Sequence, residues 1–183
     1  MATSTLGFAL LGLLARAPRT GYELTRAMHQ PIGYFWTASH SQVYPELARL
    51  ETAQLVNHSV IDGPGPRDTK RYAITATGKG ALAAWATQPA PPAASRDEFL
   101  LKVFSLWLVE PGQARELVVA RRAAHEAQLE QYERLAAEIE AEYGAELRDP
   151  RTPQFSSYAT LRRGLGFERH ARDWCQWLAE ALE

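Results

Sequence analysis

The chain has 183 residues, of which 46% are hydrophobic and 22% charged, and its formal net charge is −1. This composition is that of a soluble globular protein and excludes wholesale disorder, and a single cysteine excludes an internal disulfide. The longest apolar run, Leu6 to Ala15, is too short to span a bilayer, and no basic segment of a signal peptide precedes it. We therefore expect a cytoplasmic protein with no membrane partner.

The charges are unevenly divided between the two halves of the chain. Residues 1–88 hold eight Lys and Arg against five Asp and Glu, whereas residues 89–183 hold twelve against sixteen. A basic front half favours an anionic partner for that half. Chance variation on a solvated surface would, however, give an excess of the same size.

Two helices are predicted first. The segment from Thr5 to Ala15 is almost entirely apolar and is predicted to be a buried helix. Thr20 and Glu23 have the spacing of a capping box, so a second helix should begin there. Its inner side is formed by Leu24, Ala27 and Met28.

The third predicted helix lies in TASHSQVYPELARLETAQLV, Thr37 to Val56. Val43, Leu47 and Leu50 recur at helical spacing, and we expect Glu46 and Arg49 on the opposite, outer side.

The front of this third helix is rich in small hydrogen-bonding residues. Ser39 and Gln42 repeat the capping-box spacing, with Ser41 as a rival cap. Pro45 is expected near the first turn, where most backbone N–H groups lack a helical partner in any case. Such a helix start suits an anion or a nucleic-acid backbone.

A hairpin and a fourth helix follow. The β-rich runs Ser59–Ile61 and Arg71–Ile74 flank a Gly/Pro turn, with basic residues at or beside its tip. Thr75 should cap a helix from Gly78 to Thr87. Three helices followed by a basic hairpin predict a winged helix-turn-helix.

The proline-rich segment QPAPPAAS predicts a linker, because proline cannot continue a helix or a strand ladder. We therefore predict a DNA-binding domain at residues 1–88, a linker at 89–95 and a helical domain at 96–183. The rear helices are expected at Asp97–Leu108, from Pro111 to about Tyr143, and from about Ser156 to Leu182.

The long helix carries an apolar seam in which Val118, His125, Tyr132 and Ile139 repeat every seven residues. We expect such a stripe to need a partner chain, so the rear half should be a long-helix, coiled-coil dimerisation domain. The predicted dimer contacts are Val118, Leu129, Tyr132, Ile139, Trp174 and Leu178. The expected fold class is mostly α, with a small β wing.

Five ordered segments, ALLGLLARAPRTGYEL, SQVYPELARLETAQLV, DTKRYAITATGKGAL, RDEFLLKVF and TLRRGLGFERHARDWCQWLAEAL, resemble the PadR family of transcriptional regulators. The last segment and IGYFWTASHSQVY are most similar to its AphA-like, virulence-activator branch. The resemblance implies a winged-helix DNA reader on a helical dimerisation domain. It further implies a two-fold dimer on a pseudo-palindromic operator and, in some branches, release by a phenolic or hydrophobic effector. Many relatives have glycine at Gln54, so this residue must either adopt a left-handed conformation or end the helix differently.

The candidate DNA contacts lie on the second helix, the third helix and the wing: Tyr22, Ser39, His40, Ser41, Gln42, Tyr44, Arg49, Arg67, Lys70 and Arg71. Gln42 can pair with adenine or reach back as a cap. Tyr22, expected from the resemblance to contact a phosphate, can instead pack in the core, and His40 can be an exposed bystander. The wing cations can also belong to an ordinary solvated hairpin.

Four tryptophans are candidates for an effector pocket, with core or dimer packing as the alternative: Trp85, Trp107, Trp174 and Trp177. Cys175 is predicted to be an inert, packed thiol. No Walker loop, G-x-S-x-G, H-E-x-x-H or dinucleotide fingerprint occurs, and the five histidines are scattered, so we expect no enzyme, no metal and no cofactor.

Together these features predict a homodimeric transcriptional regulator that binds double-stranded DNA sequence-specifically. The alternative is a helical protein-interaction scaffold that does not bind DNA, for which the basic wing would have no explanation.

Overall fold

The structure is a computed structural model that describes residues 3–28, 40–61, 69–90 and 97–183, with only the backbone described at His40. The chain divides into two compact units, Met1–Pro91 and Pro92–Glu183. The division falls in the proline-rich segment, while the domain bounds 1–88, 89–95 and 96–183 stay predictions.

The front unit contains three strands and four helices among the described residues. In chain order they are α1 (Thr5–Leu14), β1 (Arg19–Thr20), α2 (Gly21–Ala27), α3 (His40–Thr52), β2 (Val56–Ile61), β3 (Thr69–Ile74) and α4 (Ala76–Ala86). The strands form one antiparallel sheet in the order β1-β3-β2. The predicted helices and hairpin are confirmed, but β1 was missed, because two residues carry no periodicity and become a strand only by pairing with β3.

Two predicted helix caps are confirmed in atomic detail. The Glu23 backbone N–H donates to the Thr20 hydroxyl (3.2 Å), and the Thr20 N–H donates to the Glu23 carboxylate (2.7 Å). At the start of α4, the Gly78 N–H donates to the Thr75 hydroxyl (3.0 Å). Each cap satisfies N–H groups that have no partner inside the helix.

The core of the front unit joins α1, α2, α3 and the sheet. Leu24 of α2, Met28 directly after it, and Val43 and Leu47 of α3 are completely buried in it. The predicted inner sides of both helices are therefore confirmed.

Gln54 has φ +58°, so of the two alternatives expected from the sequence it adopts the left-handed conformation. Its N–H donates to the Glu51 carbonyl (2.9 Å), and the Leu55 N–H donates to the Leu50 carbonyl (2.9 Å). These are the two bonds of a Schellman motif, and the buried side chains of Leu50 and Leu55 supply its hydrophobic contact.

This turn is joined to the start of α4. The Thr75 hydroxyl donates to the Gln54 carbonyl (2.8 Å), and the Thr75 N–H donates to the Leu55 carbonyl (3.0 Å). A Cβ on Gly78 would collide with that Leu55 carbonyl oxygen. Glycine at position 78 therefore permits the close approach of α4 to the turn.

α3 begins at His40, the residue after the predicted cap Ser39, but Pro45 and Ser41 are placed differently from the prediction. Pro45 is the sixth residue of α3, beyond the first turn, so position 45 cannot donate the usual helical bond to the Ser41 carbonyl. Ser41 lies inside the helix rather than at its cap. Ser39, the other predicted cap, lies outside the described residues.

The rear unit consists of helices α5 (Glu98–Phe104), α6 (Pro111–Tyr143) and α7 (Pro153–Ala181), with 3₁₀ turns at Leu106–Leu108 and Gly144–Arg148. The Asp97 carboxylate caps α5, as the Phe99 N–H donates to it (2.9 Å). The predicted helix from Asp97 to Leu108 is wrong beyond Phe104, where the α-helix ends. Pro111 occupies the first turn of α6, as predicted.

The apolar seam of α6 is covered by α7 of the same chain. Val118, Leu129 and Tyr132 are 0%, 2% and 5% exposed in the single chain. Val118 packs with Cys175 and Ala179, and Gly164 admits the Tyr132 ring, which would lie 3.0 Å from a Cβ at that position. The prediction that these three side chains form dimer contacts is therefore wrong: an antiparallel helical hairpin already buries them.

Ile139, Trp174 and Leu178 are partly buried in the same chain. Trp174 packs edge-on against Phe99 (centroids 6.2 Å apart), and Leu178 packs against Val118 and its neighbours. No helix among the described residues is long and apolar enough to cross a membrane.

Candidate nucleic-acid interface

The outer face of α3 carries polar side chains. Val43 and Leu47 anchor the inner face in the core, whereas Ser41, Gln42 and Tyr44 are exposed. This division follows from the helical spacing of the apolar residues, which turns the positions between them outward. The buried inner face therefore holds α3 in place, and the polar side chains of its amino-terminal part face outward.

The amino end of α2 lies beside this surface. The Tyr44 ring rests on Gly21, where an added Cβ would lie 2.5 Å from the ring. Tyr22, the next residue, is 63% exposed, so core packing does not account for it. The amino end of α2, which carries the exposed Tyr22, therefore lies next to Tyr44 of α3.

Arg71 of β3 approaches the same helix end. Lys70 and Arg71 are exposed, and Arg71 pairs in register with Thr20 on one side and Ser59 on the other. The pKa of the Glu23 carboxyl is lowered, mainly because it accepts the Thr20 backbone N–H, with smaller contributions from the Thr20 hydroxyl and Arg71. Arg71 is thus close enough to the first turn of α2 to act on its capping carboxylate.

The prediction that Glu46 lies on the outer side of α3 is wrong, because this residue is buried and only 4% exposed. Its carboxylate accepts the hydroxyl of Ser4, which caps α1 (2.6 Å), and the guanidinium of Arg49 (3.0 Å). The carboxylate thereby satisfies its buried oxygens and favours the amino end of α1. Arg49 is exposed but held by this ion pair, so contact with DNA would compete with Glu46.

A groove of about 670 Å³ adjoins the Glu46 carboxylate. Its lining is formed by the chain before α1 and the second half of α3: Thr3, Ser4, Glu46, Ala48, Arg49, Leu50, Thr52 and Ala53. None of the four candidate tryptophans is among these described lining residues.

The tryptophans have different surroundings. Trp85 stacks face to face on Phe8 (centroids 4.7 Å apart) in the front unit. In the rear unit Trp174 is packed, whereas Trp107 and Trp177 are 80% and 60% exposed. The packing prediction thus holds for Trp174, and a shared effector pocket stays a prediction.

Cys175 is completely buried, and burial raises the pKa of its thiol, against a smaller lowering by Arg121. This environment fits the predicted inert thiol.

Ser39, the His40 side chain and Arg67 lie outside the described residues, and their roles stay predictions. Among the described residues, no cluster of His, Cys, Asp or Glu could hold a metal ion.

The prediction from sequence missed Glu51 and His58. They are seven residues apart across the end of α3, and neither belongs to a recognisable motif. The structure brings the His58 imidazole into contact with the Glu51 carboxylate.

Two family models match the chain. Residues 10–84 match the transcriptional regulator PadR-like family, and residues 95–183 match the virulence activator alpha C-terminal region. The negative transcriptional regulator PadR of Bacillus subtilis is 30% identical to this chain, over 97% of each sequence.

Solved structures agree with this likeness. The B. subtilis PadR structure in complex with operator DNA has a TM-score of 0.89 and 26% identity, covering 98% of this chain and 100% of that one. The complex of the same protein with p-coumaric acid has a TM-score of 0.80 and 26% identity, covering 98% of this chain and 99% of that one. The structure of the Vibrio cholerae virulence activator AphA has a TM-score of 0.71 and 30% identity, covering 97% of this chain and 98% of that one. These matches confirm the fold class, and the chain belongs to the PadR-like family of transcriptional regulators, with a rear half of the virulence-activator type.

Proposed function

We propose that the protein is a homodimeric, sequence-specific DNA-binding regulator that acts on a pseudo-palindromic operator in the cytoplasm. The observation that carries this proposal is the surface on which the outer face of α3, the amino end of α2 and Arg71 of β3 meet. It offers hydrogen-bonding side chains for base edges, flanked by groups suited to phosphates. The fold match to PadR bound to operator DNA supports it.

Each part of this surface has a distinct role. Gln42, exposed on α3, can form two hydrogen bonds with adenine in the major groove. Tyr22, Ser41 and Tyr44 border it and suit phosphate or sugar contacts. Lys70 and Arg71 neutralise the neighbouring backbone. Arg49 contributes only where DNA draws it away from Glu46.

We further propose that the second copy of the chain binds the exposed apolar face of α5 and the following turn. Leu101, Phe104, Trp107 and Leu108 are between 69% and 83% exposed there. An apolar surface of this kind is what a permanent interface covers. Because α6 and α7 bury their shared seam within one chain, this face replaces the seam as the dimer contact.

Effector release is the third part of the proposal. PadR of B. subtilis has been solved with p-coumaric acid, so a phenolic or other aromatic acid is the ligand class to test on this chain. Trp177 is an exposed tryptophan outside the proposed dimer face, and its fluorescence would report such binding.

The test begins with selection of bound DNA from a random pool, with and without a panel of phenolic acids. Gln42→Ala should weaken the selected site more than random duplex, whereas equal losses would reduce Gln42 to a structural role. Replacing Lys70 and Arg71 with Gln should reduce the slope of log K against log salt by roughly 0.9 for each lost phosphate contact. An unchanged slope would remove β3 from the interface.

The dimer is tested by sedimentation of Phe104→Asp. We expect folded monomers with unchanged far-UV circular dichroism. Leu129→Asp is the contrasting variant, because it places a charge inside the α6–α7 hairpin and should unfold the rear unit instead. An intact Phe104→Asp dimer would exclude the α5 face.

A further inference from the structure

Glu51 and His58 form a contact that contributes neither to the core nor to the DNA surface described above. Glu51 lies near the end of α3, His58 lies in β2, and the His58 Nδ1 meets the Glu51 carboxylate. The two side chains are only 32% and 25% exposed, respectively. A pair that is partly shielded from water holds its geometry better than an ion pair on the open surface.

His58 also connects to the second strand of the hairpin. It pairs in register with Tyr72 of β3, and the two rings are 5.8 Å apart between centroids. Tyr72 is 7% exposed, and its pKa is raised by burial first and then by Glu51 and Tyr44. Tyr72 therefore lies beside two side chains of α3, and the row Glu51–His58–Tyr72 joins α3 to both strands.

This row links the two parts of the proposed DNA surface. Strand β3 carries Lys70 and Arg71, while α3 carries Gln42. A carboxylate repels phosphates, so Glu51 is unsuited to bind DNA itself.

We propose that Glu51 and His58 are positioning residues that lock the β2–β3 hairpin to α3, so that Gln42 and the β3 cations meet DNA at a fixed separation. The proposal rests on the proposed DNA-binding function. It adds a source of sequence discrimination that lies outside the contacting residues, because a site is read fully only when base and backbone contacts form together.

Glu51→Gln tests the proposal, since it removes the charge with little change in shape. Two effects of this substitution have opposite signs. Loss of a negative charge near DNA favours binding to any duplex, whereas loss of the lock weakens only the selected site. We expect the Kd for the selected site to rise about tenfold and the Kd for random duplex to stay level or fall.

His58→Gln should lower discrimination in the same way, and the double variant should be no worse than either single variant, because both act through one contact. Glu130→Gln is the control: it removes an exposed carboxylate paired with Arg134 (3.9 Å) on α6 of the rear unit and should change neither Kd. Thermal unfolding of each variant establishes that it is folded at the assay temperature.

Three results would overturn the proposal. Equal losses on both duplexes would assign the pair to folding, and equal gains would assign Glu51 to simple charge repulsion. Unchanged discrimination in both single variants would show that the contact positions nothing. Failure of the unsubstituted protein to prefer its selected site would refute DNA reading itself, and that measurement precedes the variants.

Discussion

Replacing Glu46 with Gln should lower the free energy of unfolding of the front unit by about 1–2 kcal/mol. The buried carboxylate accepts two hydrogen bonds, from Ser4 (2.6 Å) and from Arg49 (3.0 Å). A hydrogen bond to a charged acceptor contributes ~1 kcal/mol more than one to a neutral acceptor, so two bonds set the upper figure. The Arg49 side chain is 72% exposed, and water screens its share, which sets the lower one.

The assay is urea unfolding followed by far-UV circular dichroism. Arg49→Gln, which removes only the exposed partner, should cost less than half as much as Glu46→Gln. If Glu46→Gln were as stable as the unsubstituted chain, the carboxylate would not hold α3 against the amino end of α1, and the reasoning from its burial would fail.

Three other substitutions test local features. Gly78→Ala should lower the free energy of unfolding, measured in urea, by about 1–3 kcal/mol, because the added Cβ meets the Leu55 carbonyl. Gly80→Ala, in the same helix, has nothing within 4 Å of the added Cβ and should raise that free energy by about 0.5–1 kcal/mol. Equal effects would contradict the close approach. Gln54→Gly should stabilise by about 0.5–1 kcal/mol by relieving the left-handed residue; a loss would show that the Gln54 side chain compensates. The lowered pKa of the Glu23 carboxyl gives stability that is present above the usual pKa of 4.5 and is lost as pH falls through the folded pKa. Glu23→Gln should therefore be less stable than the parent near neutral pH, and this difference should disappear in acid. A difference that does not change with pH would contradict the argument.

Local signals in the sequence predicted local structure well. The Thr20–Glu23 box, the Thr75 cap and Pro111 each act within one turn of the chain, so their spacing is sufficient to place a helix start. The helical spacing of Val43, Leu47 and Leu50 likewise identified the inner face of α3. Strand β1 was not predictable in this way, because its two residues pair with β3 about fifty residues later.

The errors concern partners that are distant in sequence. Glu46 was assigned to the side of α3 opposite Val43, Leu47 and Leu50, but it is buried, and Ser4, far away in the chain, donates a hydrogen bond to its carboxylate. The α6 seam predicted an apolar contact correctly in kind, yet periodicity does not say whether a second chain or α7 supplies it. Of the candidate site, the exposure of Tyr22, Gln42 and Tyr44 agrees with the prediction, while their contacts with DNA stay predictions.

The junction of Gln54, Leu55, Thr75 and Gly78 limits how this region can vary in length. Both ends of the hairpin are tied to one turn, so a residue added to the base of either strand would shift the Thr75 cap away from the carbonyls it meets. Insertions and deletions among homologous regulators should therefore concentrate at residues 62–68. Changes outside the two strands would leave the turn at Gln54 and Leu55 and its bonds to Thr75 in place.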